Sequence, residues 1–429
     1  MKRAIVLSGG GSKGAYQMGV WRALRKMHLN FDIVTGTSVG ALNGALMVQG
    51  NYHKGISLWK QLSFQLLFSD DDYSDFAKAN SLKEIYKIYA KSIILSGGIA
   101  PNRLENTLRG VLDETKIRKS KIDFGMVAVK VPRYEPICLA KKDLPHGKMI
   151  DYLMASATCF PAFQLKKIGK ETFVDGGYYD NMPINLAIAL GATEIIAVDL
   201  NAIGIKQLPK NDMKITYIRP NNDLGSFLVF DKTMANKNIK YGYNDTLKVF
   251  GWLDGKKYTF KRNHLQINFK KYKENFVKLG KYIYELDEKK HFKGLVNRKL
   301  MKVIAGTDKE IFDCINKQME YLGVVFNIDN SNIYSVKTFN GLLISHLDDI
   351  EIIDLDYIEK MIKSKQIKDL LNKEIIIKYI YNNLKDVWFD KKHVKILLMV
   401  INFFPKELLG TLYLWTINGH TIKKKLGGI

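Results

Sequence analysis

From the N-terminus the chain alternates short apolar runs with stretches of helical spacing. Lys2-Arg3-Ala4-Ile5-Val6-Leu7 reads as a buried strand, and Ala15 to Leu24 as the helix that follows it. Asp32-Ile33-Val34-Thr35 is a second strand and Ala41 to Val48 a second helix. Phe124 to Val129, Glu194 to Leu200 and Lys214 to Arg219 predict further core strands. Asn102 to Leu112, Met149 to Ala157 and Ile184 to Leu190 predict the helices between them, and residues 226 to 250 one more. This alternation predicts an α/β fold, a three-layer sandwich whose sheet is covered on both faces. Residues 63 to 100 interrupt it with Phe64, Leu66, Leu67, Phe68, Tyr86 and Tyr89. They are either a further packed helical layer or a lid.

The texture changes near residue 261, where helical spacing continues without strands. Phe269, Tyr272, Phe276, Leu279, Ile283 and Leu286 recur at steps of three and four. Ile311, Ile315, Met319 and Leu322 do the same, with Gly323 at the C′ position. Leu355 to Leu371 and Ile375 to Leu384 are also expected to be helical. The expected division is therefore an α/β domain over 1–260, its motifs within 1–200, and a mainly α-helical domain over 261–429. Val394 to Phe404 and Leu408 to Ile417 are nearly all apolar, split by Pro405-Lys406-Glu407 and followed by Lys423-Lys424-Lys425. Neither run reaches the ~18 residues of a spanning helix. They are either buried in the helical domain or, with Tyr413 and Trp415, an interfacial anchor.

Composition narrows the setting. The 429 residues are 46% hydrophobic, enough for a packed core. Cys138, Cys159 and Cys314 are few and widely spaced, which argues for a reducing compartment. The first apolar run is too short for a signal peptide, so a cytoplasmic location, peripheral on a membrane, is expected. The net charge of +23 has two readings, attraction to an anionic membrane surface or biased lysine usage on a solvated surface. No basic stripe interleaved with aromatics suggests nucleic acid. Asp70-Asp71-Asp72 reads as a solvated loop, since it lacks the glycine and distal glutamate of a calcium site. No cluster has metal-ligand spacing, and no cofactor is called for.

Three glycine-bearing turns carry the candidate chemistry. Gly36-Thr37-Ser38-Val39-Gly40 lies between a strand and a helix, the context of a nucleophile elbow. It would present the Ser38 hydroxyl at a helix N-terminus, where developing negative charge is favoured. Ser8-Gly9-Gly10-Gly11-Ser12-Lys13-Gly14 also joins a strand to a helix, and its Gly9, Gly10 and Gly11 N–H groups can converge as an oxyanion hole. The same loop fits a dinucleotide fingerprint weakly, but Asp32 starts the second strand where an acid should end it. Thr172-Phe173-Val174-Asp175-Gly176-Gly177 ends a strand in a candidate base, Asp175. Asn181-Met182-Pro183 then reads as a helix cap. Cys159 reads as a packing residue and Asp199 as a strand-end cap.

Together these turns resemble the patatin-like phospholipase family. Its glycine-rich motif corresponds to Gly9-Gly10-Gly11-Ser12-Lys13-Gly14, its serine motif to Gly36-Thr37-Ser38-Val39-Gly40 and its aspartate motif to Asp175-Gly176-Gly177. The small-residue segment Ala155 to Ala162 is similar to the stretch before the last motif. Ser8 and Lys13 depart from the acidic and arginine residues common there, and lysine cannot make arginine's bidentate fork. The resemblance implies a Ser38–Asp175 dyad without histidine, and a lipid ester as substrate. His264 would complete a triad only if the second half of the chain folded back over the site. A lipid-binding protein with negligible turnover is the other class left open.

Overall fold

A computed structural model describes residues 2–289, 300, 305–351, 372–384, 397 and 400–419. The predicted helix Leu355 to Leu371, most of Val394 to Phe404, and Lys423-Lys424-Lys425 lie outside the described residues. The chain divides into two units, Met1–Phe250 and Gly251–Ile429.

The first unit is built on an eight-stranded sheet: β1 (Arg3–Leu7), β2 (Ile33–Thr37), β3 (Asp123–Val131), β4 (Glu135–Ala140), β5 (Lys166–Ile168), β6 (Glu171–Asp175), β7 (Glu194–Val198) and β8 (Ile215–Ile218). The order is β5-β6-β3-β2-β1-β7-β8, with β4 also paired to β3. β3, β2, β1, β7 and β8 run parallel to one another. Their apolar runs are continuous because both faces are covered. Ile5 and Leu7 of β1 join one core with the helices Ala15–Lys26 and Val39–Gln49, whereas Ala4 and Val6 join another with the helix Ile184–Ala189. This period-two split makes the sheet the middle of three layers.

The unexpected part of the sheet is at β3. β4 pairs with Gly125 to Lys130 and β6 with Ala128 to Val131, both antiparallel, while β2 pairs with Asp123 to Val127. A strand has two edges. Since β4 overlaps both β2 and β6, those two must share the other edge. β2 ends at Thr37 opposite Val127, and β6, running the opposite way, ends at Asp175 opposite Ala128. Two strands are thus aimed head-on along one edge and stop at adjacent residues of β3.

One local expectation is corrected by the structure, and of two readings left open it supports the packed layer. Asp70-Asp71-Asp72 opens the helix Asp70–Lys78 rather than a loop, acids in a first turn being favoured by the helix dipole. Residues 63 to 100 form the helices Phe64–Leu67, Asp70–Lys78 and Leu82–Ser96, which pack as a layer through Phe64, Phe68, Phe76 and Tyr89.

The second unit has its own core. Its helices are His264–Lys289, Asp308–Val325, Val336–Asp349, Lys373–Asn383 and Pro405–Ile417. It also carries strands: Thr259–Lys261 pairs with Leu253–Asp254 and with Ile333–Tyr334. Gly323 does not cap a helix, because Asp308–Val325 continues past it. A Cβ there would lie 2.6 Å from Phe339 Cζ, so the glycine admits an aromatic ring against the helix. The interfacial-anchor reading of Leu408 to Ile417 fails. Leu408, Leu412, Tyr413 and Trp415 are buried, Trp415 Nε1 donates to Tyr381 O, and Tyr413 hydrogen-bonds Asn268 and Asn340.

Candidate active site

Ser38 follows β2 and caps the helix Val39–Gln49 with φ 56° and ψ −130°. A non-glycine residue so placed stores about 1–3 kcal/mol of backbone strain. The turn closes because nothing projects from Gly36 and Gly40. A Cβ on the first would lie 2.3 Å from Gly40 O, and on the second 2.2 Å from Leu7 O. Ser156, at the end of the helix Met149–Ser156, holds the elbow. Its hydroxyl accepts the Ser38 N–H at 3.0 Å and donates to Val127 O at 2.6 Å.

Asp175 meets Ser38 because β6 and β2 converge. Its carboxylate accepts Gly177 N–H at 2.7 Å from Oδ1, and the Ser38 side chain beside it favours the charged form. Burial pushes the Asp175 carboxyl up to about 6, against the pull of these two groups. Asp175 N–H donates to Thr158 O, which ties the end of β6 to the small-residue segment. A Cβ on Gly176 would lie 2.2 Å from Val127 O, so the turn lies flat on β3.

The glycine loop leaves β1 beside this pair. Its three N–H groups are not equivalent, contrary to the expectation that all serve together. Gly9 N–H donates to Asn181 O at 3.0 Å and is occupied. Among the described residues, Gly10 and Gly11 N–H have no partner, and both glycines line the same cavity as Ser38 and Val39. Ser8 Oγ accepts Leu200 N–H, while Ser12 N–H and Oγ bond Phe227 O and Ser226 O, so both ends of the loop are fixed. Beneath it Gln17 Nε2 donates to Ser8 O, and Asn43 links Gln17, Gly14 O and Trp59 Nε1. Lys13 is half-buried and does not line the cavity.

The cavity holds about 510 Å³. Ser38, Asp175, Gly10, Gly11 and Asn181 supply its polar end, and Leu42, Leu46, Leu62, Leu67, Leu108, Phe163 and Phe230 much of its apolar wall. Among the described residues no histidine lines it. His264 belongs to the second unit, where its Nδ1 accepts the Val336 N–H. Cys159 lines the cavity with its thiol pushed up to about 12 by burial and by Asp175, which leaves it unreactive. Asp32 accepts Arg3 N–H at the start of β2, far along the strand from the glycine loop, so the dinucleotide reading lacks its acid. Among the described residues no three His, Cys, Asp or Glu side chains gather as a metal-binding group.

Two site residues escaped the sequence. Asn181 is not a helix cap, since the helix Ile184–Ala189 starts from Pro183. It lines the cavity, and a Cβ on Gly9 would meet its Oδ1 at 2.2 Å. Ser156 was visible only as one of several small residues, and its bond to the elbow depends on the fold. Asp199 does cap a strand end. It is buried and ion-paired to Lys206 and Arg219, which hold its carboxyl below the usual range.

Residues 5–188 match the family described as Patatin-like phospholipase. Patatin-like phospholipase domain-containing protein 7 of Rattus norvegicus is 25% identical over 203 residues, 46% of this chain and 14% of that protein. Lysophospholipase NTE1 of Debaryomyces hansenii is 26% identical over 210 residues, 46% of this chain and 12% of that protein. The match thus covers a small part of these relatives' length. Among solved structures, VipD from Legionella pneumophila aligns over 100% of this chain and 92% of its own, with 14% identity and a TM-score of 0.38. Among the described residues no helix is long and apolar enough to cross a membrane.

Proposed function

Because residues 5–188 belong to the patatin-like phospholipase family, we propose that this chain is a serine acyl hydrolase acting on carboxylic esters of lipids. The observation that carries the reading is the placement of Ser38 beside Asp175 at the polar end of a leucine-lined cavity. Ser38 Oγ attacks the acyl carbonyl carbon while Asp175 accepts its proton. The carbonyl oxygen becomes an oxyanion facing the Gly10 and Gly11 N–H groups, with Val39 N–H beside them. Collapse of the tetrahedral intermediate expels the alcohol, which takes the proton from Asp175. Water, deprotonated by Asp175, then releases the acid and restores Ser38. Nucleophile, base and oxyanion donors are all protein groups, so the cycle calls on no metal, and excess EDTA is expected to leave turnover unchanged.

Each loop donor of this kind contributes about 3 kcal/mol to transition-state stabilisation. That matters more in this site because one carboxylate serves both half-reactions without an imidazole. The acyl chain is expected to lie along the leucine wall, which explains why a polar site opens into so apolar a space. The test is mass spectrometry of a total lipid extract incubated with wild type and Ser38→Ala. Loss of a defined ester and appearance of its fatty acid, with wild type only, supports the reading. Equal lipid profiles, together with no fluorophosphonate adduct on Ser38, reduce the chain to a lipid-binding protein.

A further inference from the structure

The mouth of the cavity is finished by a loop that the catalytic cycle does not use. Ala202, Ile203, Gly204 and Ile205 line the cavity, yet Ile203 is 91% exposed and Ile205 54%. Leu208, three residues on, is 86% exposed. Tyr178, which also lines the cavity, is exposed across the mouth, and its hydroxyl bonds Phe160 O, another exposed ring. Large apolar side chains scattered singly on a surface need no account, but a cluster around one opening does.

The loop is held in place, so this exposure is built in. At its base Asp199 Oδ1 accepts Asn201 N–H at 3.0 Å and the Lys206 ammonium at 2.7 Å. Ile205 N–H donates to Gly177 O at 3.0 Å, two residues from Asp175. Asn185 Nδ2 donates to Leu208 O at 2.9 Å, and Gln207 Nε2 to Tyr179 O at 3.0 Å. The backbone is thus anchored on both sides while Ile203 and Leu208 point outwards. From Asp199 to Arg219 there are four cations and two anions, and one anion, Asp199, is buried beneath two of the cations. Lys210 is exposed beside Leu208 in the chain.

We propose that the loop Asn201–Lys210 seats the cavity mouth on an anionic lipid bilayer, Ile203 and Leu208 entering the headgroup–acyl boundary and the exposed Lys210 meeting lipid phosphate and carboxylate groups. Apolar tips beside an exposed cation match a surface that is apolar below and negative above. A neutral protein partner or a second copy of this +23 chain would not match Lys210 and the net positive charge of the chain. Docked this way, an acyl chain passes from the bilayer past Ile203 and Ile205 to Ser38 without crossing water. The proposal rests on the acyl-hydrolase reading for its purpose, but its test does not require turnover.

The test uses the full chain carrying Ser38→Ala, so that lipids stay intact. Sedimentation with vesicles of mixed phosphatidylcholine and phosphatidylserine is compared with and without Ile203→Asp and Leu208→Asp. Loss of two inserted side chains is expected to weaken partitioning about tenfold or more. Because both residues are largely exposed, the melting temperature should not move. In parallel, an environment-sensitive dye on Ile203→Cys should shift to the blue when anionic vesicles are added, a readout that does not depend on relative stability. Unchanged partitioning of the double variant, or a dye that does not respond, overturns the proposal. So does equal binding to pure phosphatidylcholine, or a dimer of the parent that becomes monomeric on Leu208→Asp. Turnover of a soluble short-chain ester is measured separately with Leu208→Asp alone, which does not line the cavity. Its absence in both wild type and variant would sink the hydrolase reading and leave the docking result standing.

Discussion

Asp175 is held in an environment that opposes its own charge. Burial raises its carboxyl to about 6, whereas an unfolded aspartate titrates near 4. Between those values the native state retains a proton that the unfolded chain has released. Stability from this group is therefore greatest in acid and is lost as pH rises through that window, by roughly 3 kcal/mol in all. The proposed mechanism needs the deprotonated form, so turnover of a soluble ester is expected to fall tenfold per pH unit below about 6. Asp175→Asn should lower turnover about a thousandfold or more and yet melt above wild type at about pH 8, the gap closing towards about pH 4. Calorimetry across that range checks it, and a variant that melts lower at every pH would mean that the Ser38–Asp175 pairing stabilises the fold instead. Asp180 is raised to about 6 by burial as well, so the difference between the two proteins is the informative quantity. Gly11→Ala probes the oxyanion loop. Its Cβ would lie 2.2 Å from Phe227 O at a φ of +55°, so the loop must move. The expected loss is about a hundredfold in kcat with KM little changed, because the oxyanion contact strengthens in the transition state. A rise in KM alone would make the loop a substrate cradle.

At the scale of elements, the site is a consequence of strand register. β2 and β6 lie along the same edge of β3 and stop one residue apart, and this brings two motifs that are over a hundred residues apart onto one cavity. Ser38 and Asp175 were legible in the sequence because a nucleophile elbow and a strand-ending aspartate are local patterns. Their meeting came only from the family resemblance and was hidden from periodicity, since it depends on β4 and β6 taking opposite edges of β3, and edge choice leaves no trace there. The division of labour within Gly9-Gly10-Gly11 was equally hidden, because the carbonyl that occupies Gly9 comes from Asn181. Ser156 is the case where element and site join. Replacing it by alanine leaves Ser38 N–H and Val127 O without the hydroxyl that bridges them, which costs about 1–3 kcal/mol. Ser156→Ala is expected to lower the melting temperature and to slow fluorophosphonate labelling of Ser38, while the cavity wall is untouched. Labelling at the wild-type rate would show that the glycines alone hold the elbow.

On the scale of the molecule, the family match ends at residue 188 but the compact unit that carries the candidate site does not. Ser226 and Phe227 anchor the glycine loop, and Phe227, Leu228 and Phe230 line the cavity. The helices Ala15–Lys26 and Lys232–Val249 cross at two glycines. A Cβ on Gly19 would lie 2.0 Å from Ile239 O, and one on Gly242 would lie 1.9 Å from Tyr16 O. Tyr16, wholly buried, donates to Asp245 Oδ2 at 3.1 Å. Removing the second helix would expose the Tyr16 face of the first and unpin the oxyanion loop. The second unit, by contrast, builds its core from its own residues. A fragment ending at Phe250 is therefore expected to fold cooperatively and to hydrolyse a soluble short-chain ester within about threefold of the full chain, since every cavity-lining residue lies before it. A fragment ending at Leu200 should be insoluble or lack a cooperative melt. Expression of both, with thermal melts and ester turnover, decides the matter. If the longer fragment folds but is inactive, residues after Phe250 complete the site. If the shorter one is active, the helix Lys232–Val249 is dispensable and the glycine loop keeps its shape without Ser226 and Phe227.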